Sequence, residues 1–276
     1  MHGNSKTIRN VSLNDNLTAK KDFATEIAKQ AGSMIRADFK IGCKTKLKED
    51  DTPVTDTDKR INALVIEEVK KRFPREDVLS EEGSYIKNRN GNIWVCDPLD
   101  GTRVFSHGIP TSVFSLAFLR DGRPQVGVVY DPFNDRIFSA EIGKGAFLNG
   151  EEIRVSGDKK LRNTTIGISS FKGAQFNLVP LIDKLLSKEV WANVLQLGSI
   201  TYQGAMVSCG EFSASVHPAR MSWDSAALKV IVEEAGGKVT NLFGAEQRYD
   251  GKIKGCVFSN GKVHDQIVDF IKMIRK

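Results

Sequence analysis

The chain has little cysteine and no close pair of them: Cys43, Cys96, Cys209 and Cys256 are scattered through 276 residues without a C-x-x-C. That spacing argues against a zinc ribbon or a redox dithiol and predicts reduced, mostly buried thiols, as in a cytosolic protein. No block of like charge is long enough to serve as a nucleic-acid arm. The 40 basic and 34 acidic residues are interspersed, and the surplus of +6 suits small anions without specifying one. No apolar run approaches the ~18–20 residues of a bilayer span. The opening residues, MHGNSKTIRNVSLNDN, lack the apolar stretch of a secretory signal. Internal repeats, low-complexity tracts and a G-x-S-x-G nucleophile elbow are also missing. A soluble, cytoplasmic, globular protein is expected, and 40% hydrophobic content is enough for a sizeable core.

What is present is an alternation of helical and strand periods. Leu17, Phe23, Ile27, Ala31, Met34, Ile35 and Phe39 predict an amphipathic helix over 17–39. KIGCKTKLKEDDTPV then loses periodicity and reads as a loop carrying Lys44, Lys46 and Lys48. A second helix is predicted from about Asp58 to Phe73, ended by Pro74. Strands follow at 78–80, 93–96, 113–119, 125–130 and near 137–140, with RDGRP as a hairpin turn. Later come strands near 164–169, 190–195, 212–216 and 255–258. Helices are predicted at 176–188, 199–209 and 262–274, and across WDSAALKVIVEEAGG, where Gly236-Gly237 ends the helix. The pattern predicts a mixed α/β (α+β) fold in layers. A weak seam at 156–162 divides it into halves, 1–157 and 158–276.

Acids stand at strand ends and helix starts in four places: Asp58 in PVTDTD, Glu81 and Glu82 in SEEGS, Asp97 and Asp100 in WVCDPLDGT, and Asp224 after Trp223. Hard divalent cations require oxygen ligands that converge. Each acid has an ordinary alternative: helix caps for Asp58 and Asp224, a solvated turn for Glu81-Glu82-Gly83, and punctuation for Asp97-Pro98. All four beside apolar elements favour a site over decoration. If a helix starts near Gly101, the N–H groups of Gly101 and Thr102 form an anion cradle, and Gly101 admits close approach. The Thr102 hydroxyl could orient a water. The haloacid-dehalogenase pattern, Asp-x-Asp-Gly-Thr near an N-terminus, has a different spacing. Acids three apart and a third of the way along favour an activated water over an aspartyl-phosphate.

WVCDPLDGT followed by WDSAALKVIVEEAGG resembles the two signature motifs of the inositol monophosphatase family. PVTDTD, SEEGS and GVVYDPFNDRIFSAEIGKGAFLNGEEIRVS stand in the family's order, and the likeness spans roughly 20–270. The resemblance implies the sugar-phosphatase fold, an alternating α-β-α-β-α sandwich, commonly dimeric, and a lithium-sensitive, Mg2+-dependent phosphatase using two or three ions. It implies that Glu81, Asp97 and the Leu99 carbonyl hold a first ion, Asp97, Asp100 and Asp224 a second, and that a third lies near Glu81 and Asp58. Thr102 with Asp58 would activate the attacking water in an in-line displacement, Glu81 would serve catalysis through its ion, and the Gly101 and Thr102 amides would hold phosphate. Gly198 and Ser199 are expected substrate contacts. Seven residues before Asp224, where inositol-selective members carry a glutamate, this chain has His217, also placed in the substrate pocket. With Arg103 and Arg220, His217 points towards a second anionic group. The expected substrate is therefore a small phosphate ester, inositol monophosphate or a related sugar or polyol phosphate. The alternatives are a 3′(2′),5′-bisphosphate nucleotide, histidinol phosphate or fructose 1,6-bisphosphate. A regulatory RNA-binding protein is disfavoured by the intact acids and by the lack of basic residues interleaved with aromatics. Nucleic acid is not expected as the main ligand, and no membrane partner is expected.

Overall fold

Alternate residues of the central strands go to opposite cores, and this sorts the chain into layers. A computed structural model describes residues 16–42, 46–47, 53–171 and 173–274. The predicted N-terminal stretch, Cys43, Lys44 and Lys48 lie outside the described residues. The elements run α1 (Leu17–Asp38), β1 (Lys46–Leu47), β2 (Pro53–Val54), α2 (Asp56–Arg72), β3 (Asp77–Ser80), β4 (Asn92–Asp100), α3 (Thr102–Ser106), β5 (Val113–Arg120), β6 (Arg123–Asp131), β7 (Arg136–Glu141), β8 (Ala146–Leu148) and β9 (Glu151–Glu152). They continue β10 (Thr165–Ile168), α4 (Val179–Leu186), β11 (Asn193–Leu195), α5 (Ile200–Ser208), β12 (Ala214–His217), a 3-10 turn (Ser222–Asp224), α6 (Ala226–Glu234), β13 (Lys238–Thr240), β14 (Cys256–Ser259) and α7 (His264–Ile274).

The first sheet has the order β3-β4-β5-β6-β7-β8-β9, antiparallel except for the parallel pair β3–β4. The second has the order β11-β10-β12-β14-β13. Trp94, Cys96, Phe114, Leu116 and Phe118 pack with α1 and α2 on one face of the first sheet. Val95, Val113 and Ala117, on the opposite face, join α5, α6 and the inner face of the second sheet through Ala205, Ile231 and Phe258. Ile166, Ala214, Val216 and Val257 close the outer core with α4 and α7. The result is α-β-α-β-α. The chain passes from one sheet to the other between β9 and β10, and one core cluster joins the two sides.

Several short strands were beyond the sequence pattern: β1 and β2 pair antiparallel within the stretch read as a loop. β8 and β9 are too short to show alternation, and β13, only three residues, follows a double glycine that reads as a helix stop. The first helix is fixed at its start by Asn16, whose side chain accepts from Thr18 N and Ala19 N. Lys20 is wholly buried and paired with Glu76, which also accepts from Trp94 Nε1 at 2.7 Å, so α1 is tied to the strand that carries the central acids. Among the described residues no helix is long and apolar enough to cross a membrane.

His264, at the start of α7, is buried between Ser259 Oγ, 2.8 Å from Nδ1, and Thr240 Oγ1, 2.9 Å from Nε2. Burial, then the neighbouring Lys238 charge, lowers its pKa from 6.5 to about 4. Above pH 6.5 it is neutral whether folded or unfolded. Between 6.5 and about 4 only the unfolded chain takes up the proton, so this contribution to stability is lost as pH falls, with a slope of up to about 1.4 kcal/mol per pH unit. Denaturant titrations of His264→Gln from pH 7 to pH 4 should show a flatter acid slope than wild type, on a lower plateau at pH 7.

Candidate metal and phosphate site

β4 does not stop at Asp97, as its apolar run predicts, but continues to Asp100 through an irregularity. Three steps along β4, from Asp97 to Asp100, match two along β5, from Ser115 to Val113. In a regular strand, residues three apart face opposite sides. The bulge at Pro98-Leu99 cancels that alternation and puts both carboxylates on the face that looks towards α5 and α6. Pro98, which has no N–H to give to the ladder, belongs in such a position. Asp97 Oδ1 accepts from Leu99 N at 3.0 Å, which braces the bulge.

The remaining acids arrive on neighbouring elements. Glu81 follows β3, whose Ser80 is paired with Cys96, and Glu81 N donates to Cys96 O at 3.4 Å. Asp224 ends the 3-10 turn before α6. That helix lies hard against β6 at Gly127, where an added Cβ would stand 2.4 Å from Ala227 O, and this carries Asp224 onto β4 and β5. Asp97, Asp100 and Asp224 each present an oxygen within 4.8 Å of the others.

Asp58 is the third residue of α2 and not its N-cap. Thr55 is the cap, in a reciprocal capping box in which the Thr55 N–H and hydroxyl donate to Asp58 Oδ2. Its other oxygen, Oδ1, stands 3.1 Å from Thr102 Oγ1, which is also 3.1 Å from Leu99 O. Thr102 has one proton and serves one of these acceptors at a time. Burial first, and the nearby Glu82 charge, raise the Asp58 pKa against the donors from Thr55 and Thr102.

Two glycines let distant loops meet at this point. Gly101, at φ 90°, is the N-cap of α3; a Cβ there would lie 3.0 Å from Val104 Cγ2, 3.2 Å from Ser199 Cβ and 3.3 Å from Gly198 O. Gly198, at φ 76°, would place a Cβ 2.3 Å from Val104 Cγ1. Positive φ and missing side chains are both needed for the starts of α3 and α5 to touch. The cleft they border, about 170 Å³, is lined by Glu81, Asp97, Leu99, Asp100, Gly101, Thr102, Arg103, Gly198 and Asp224.

The donor set fits hard divalent cations. Asp97 is buried, and burial together with the charges of Glu81, Asp100 and Asp224 pushes its pKa well above the usual carboxylate range. Asp100 is raised by burial despite donors from Ser199 and Thr201. Among the described residues neither is paired with a lysine or arginine. Buried like charges without a basic partner are relieved by a divalent cation, and an all-oxygen set selects the magnesium, calcium and manganese class over soft metals.

The inositol monophosphatase family model matches residues 16–273. The chain belongs to the inositol monophosphatase family. A fructose-1,6-bisphosphatase/inositol-1-monophosphatase of Thermotoga maritima is 32% identical over 92% of this chain and 96% of its own length. A Nus factor SuhB of Pasteurella multocida is 32% identical over 81% and 85%, and a histidinol-phosphatase of Chlorobaculum parvum is 30% identical over 91% and 96%. The solved structure of an IMPase from Thermotoga maritima superposes with a TM-score of 0.82 at 31% identity, covering 93% of this chain and 98% of that one. As in this family of phosphatases, the chain is a phosphoric monoester hydrolase, and the family's metal dependence matches its acidic cluster.

Two residues expected in the family's substrate pocket stand elsewhere. His217 is 0% exposed on the inner face of the second sheet, stacked on Phe258 with ring centroids 5.1 Å apart. Burial lowers its pKa to about 3, so it is a neutral interior group and not a cation for substrate. Ser199 is likewise 0% exposed and donates to Asp100 Oδ2 at 2.6 Å. Arg103, by contrast, lines the cleft, while Arg220 is exposed and does not line it. Sequence reasoning missed Thr55 and Thr201. Thr55 was legible as a T-x-x-D capping box; Thr201 acts through its backbone N–H, which leaves no signal in a side-chain pattern.

Asp97→Asn keeps the acceptor for Leu99 N and removes one buried charge. In chelator its melting temperature should equal or exceed that of wild type, and a divalent cation such as Mg2+ should raise the melting temperature of wild type and not of the variant. Thermal melts with and without Mg2+ check both.

Proposed function

We propose that this protein is a Mg2+-dependent phosphomonoesterase of small phosphate esters, with inositol monophosphate or a related sugar or polyol phosphate as substrate. The observation that carries the reading is the convergence of Asp97, Asp100 and Asp224 within 4.8 Å, beside the Gly101-Thr102 turn. Glu81, Asp97 and the Leu99 carbonyl would hold one ion, Asp97, Asp100 and Asp224 a second, and Glu81 with Asp58 a weaker third. Bound there, the ions would neutralise the phosphate and acidify water.

The chain's own groups do the rest. The backbone at Gly101 and Thr102 borders the place of the phosphate. Asp58, held by Thr55, takes the Thr102 proton, so the Thr102 oxygen turns its lone pairs to the cleft and accepts from the attacking water. Burial makes Asp58 a better proton acceptor than an ordinary carboxylate. The water passes one proton to Thr102 Oγ1 as Thr102 gives its own to Asp58; its oxygen bonds to phosphorus as the bond from phosphorus to the ester oxygen breaks, and that oxygen leaves with the electron pair and takes a proton from solvent water.

In this reading residues 1–157 supply most of the ligands and 158–276 supply Asp224. A cytoplasmic location and lithium sensitivity go with the reading, with nucleic acid not the main ligand. A homodimer is supported by the edge of the second sheet, where among the described residues β11 pairs only with β10, and Trp191 and Leu195 are 53% and 42% exposed.

A second reading, a substrate with another anionic group, is favoured by Arg103. Arg103 lines the cleft and is exposed, and its guanidinium has no hydrogen-bond or ion-pair partner among the described residues. Fructose 1,6-bisphosphate, 3′-phosphoadenosine 5′-phosphate and histidinol phosphate belong in the same assay as inositol 1-phosphate.

Phosphate release should require Mg2+ and fall to background in Asp97→Asn and Asp224→Asn; near-full activity in either would sink the ligand assignment. Arg103→Ala should lower kcat/KM for a bisphosphate about tenfold, the value of one charge-assisted hydrogen bond, and leave inositol 1-phosphate nearly unchanged. Equal loss on both substrates would remove the second reading.

A further inference from the structure

Asp100 is gripped by an element from the other side of the fold. Ser199 is the N-cap of α5, and its Oγ accepts from Tyr202 N at 3.0 Å. With that lone pair engaged and no solvent contact, its proton is directed to Asp100 Oδ2, 2.6 Å away. Thr201 N, a free first-turn donor of the same helix, reaches the same oxygen at 2.6 Å. Two short, charge-assisted bonds converge on one carboxylate oxygen, and the Thr201 hydroxyl and Gly101 N–H also stabilise the carboxylate.

We propose that Ser199 is a positioning residue for the cation site: by capturing Oδ2 together with Thr201 N, it commits Oδ1 of Asp100 to the ion. The inference rests on the reading of Asp97, Asp100 and Asp224 as cation ligands, and not on which ester is cleaved. It replaces the role of substrate contact expected for Ser199. The geometry also explains the glycines: Gly101 and Gly198 let the start of α5 come close enough to reach Asp100. Asp100 lies on the first sheet, whereas α5 contacts the inner face of the second, so the orientation of this ligand depends on how α5 is docked between the sheets. A carboxylate free to rotate would share both oxygens with the ion and lose the fixed arrangement that partners behind a ligand maintain.

The test is calorimetric titration of Mg2+ or Mn2+ into the substrate-free protein as wild type, Ser199→Ala and Ser199→Thr. Ser199→Ala should weaken cation binding about tenfold or more, as losing a partner behind a ligand does, with Ser199→Thr close to wild type. The Mg2+ needed for half-maximal activity should rise in parallel, while KM for the ester at saturating Mg2+ stays the same. If Ser199→Ala does not fold, Ser199→Gly, which helix N-caps tolerate, gives the same readout. Unchanged cation affinity in the hydroxyl-less variant would overturn the proposal, and a raised KM alone would return Ser199 to substrate contact. Failure of wild type to bind either cation would overturn it as well. Wild type that binds Mg2+ yet cleaves no phosphate ester would overturn the phosphatase reading and, with the expected Ser199 effect, support this one.

Discussion

Three carboxylates held within 4.8 Å of one another, two of them buried, are the constraint around which this protein is built. Left alone they repel, and burial makes their ionised forms costlier still. A fold keeps such a group only if rigid elements hold each member, and here β4, its bulge and the turn before α6 do so. The cluster is poor for stability and good for a divalent cation, in line with the tendency of functional sites to hold strained charge.

The bulge in β4 and the docking of α5 solve different halves of that problem. The bulge converts a spacing of three, which would split Asp97 and Asp100 across the sheet, into a shared face. The start of α5 then fixes one oxygen of Asp100, and Thr55 does the same for one oxygen of Asp58. Ser199 and Thr201 N meet on Asp100 Oδ2, while Asp58 has Thr55 on Oδ2 and Thr102 on Oδ1. The layers behind, with Lys20, Glu76 and Trp94 tying α1 to β3 and β4, give the strand the rigidity that such orientation needs.

Arg103 and His217 show how position decides chemistry. Both are basic side chains near the signature motifs in sequence, and both invited a substrate role. Arg103, early in α3, is exposed at the cleft, whereas His217 points inwards beneath the sheet, where burial keeps it neutral. Of the two, only Arg103 stands where it could meet a ligand in the cleft.

Much of the protein was legible in its residues. The long helices and strands showed their periods because each packs one face or both in a core, and the acids declared themselves by standing at element ends beside Gly101 and Thr102. Family membership followed from those same motifs. The short strands β1, β2, β8, β9 and β13 were not legible, since two or three residues display no period. Sequence by itself determined the layered class, the oxygen-ligand chemistry and the family. Only the tertiary structure decided that Asp97 and Asp100 share a face, that Ser199 serves Asp100 and that His217 is interior. Those outcomes depend on strand register and on the contact of helix starts far apart in the chain, and no local pattern of residues encodes either.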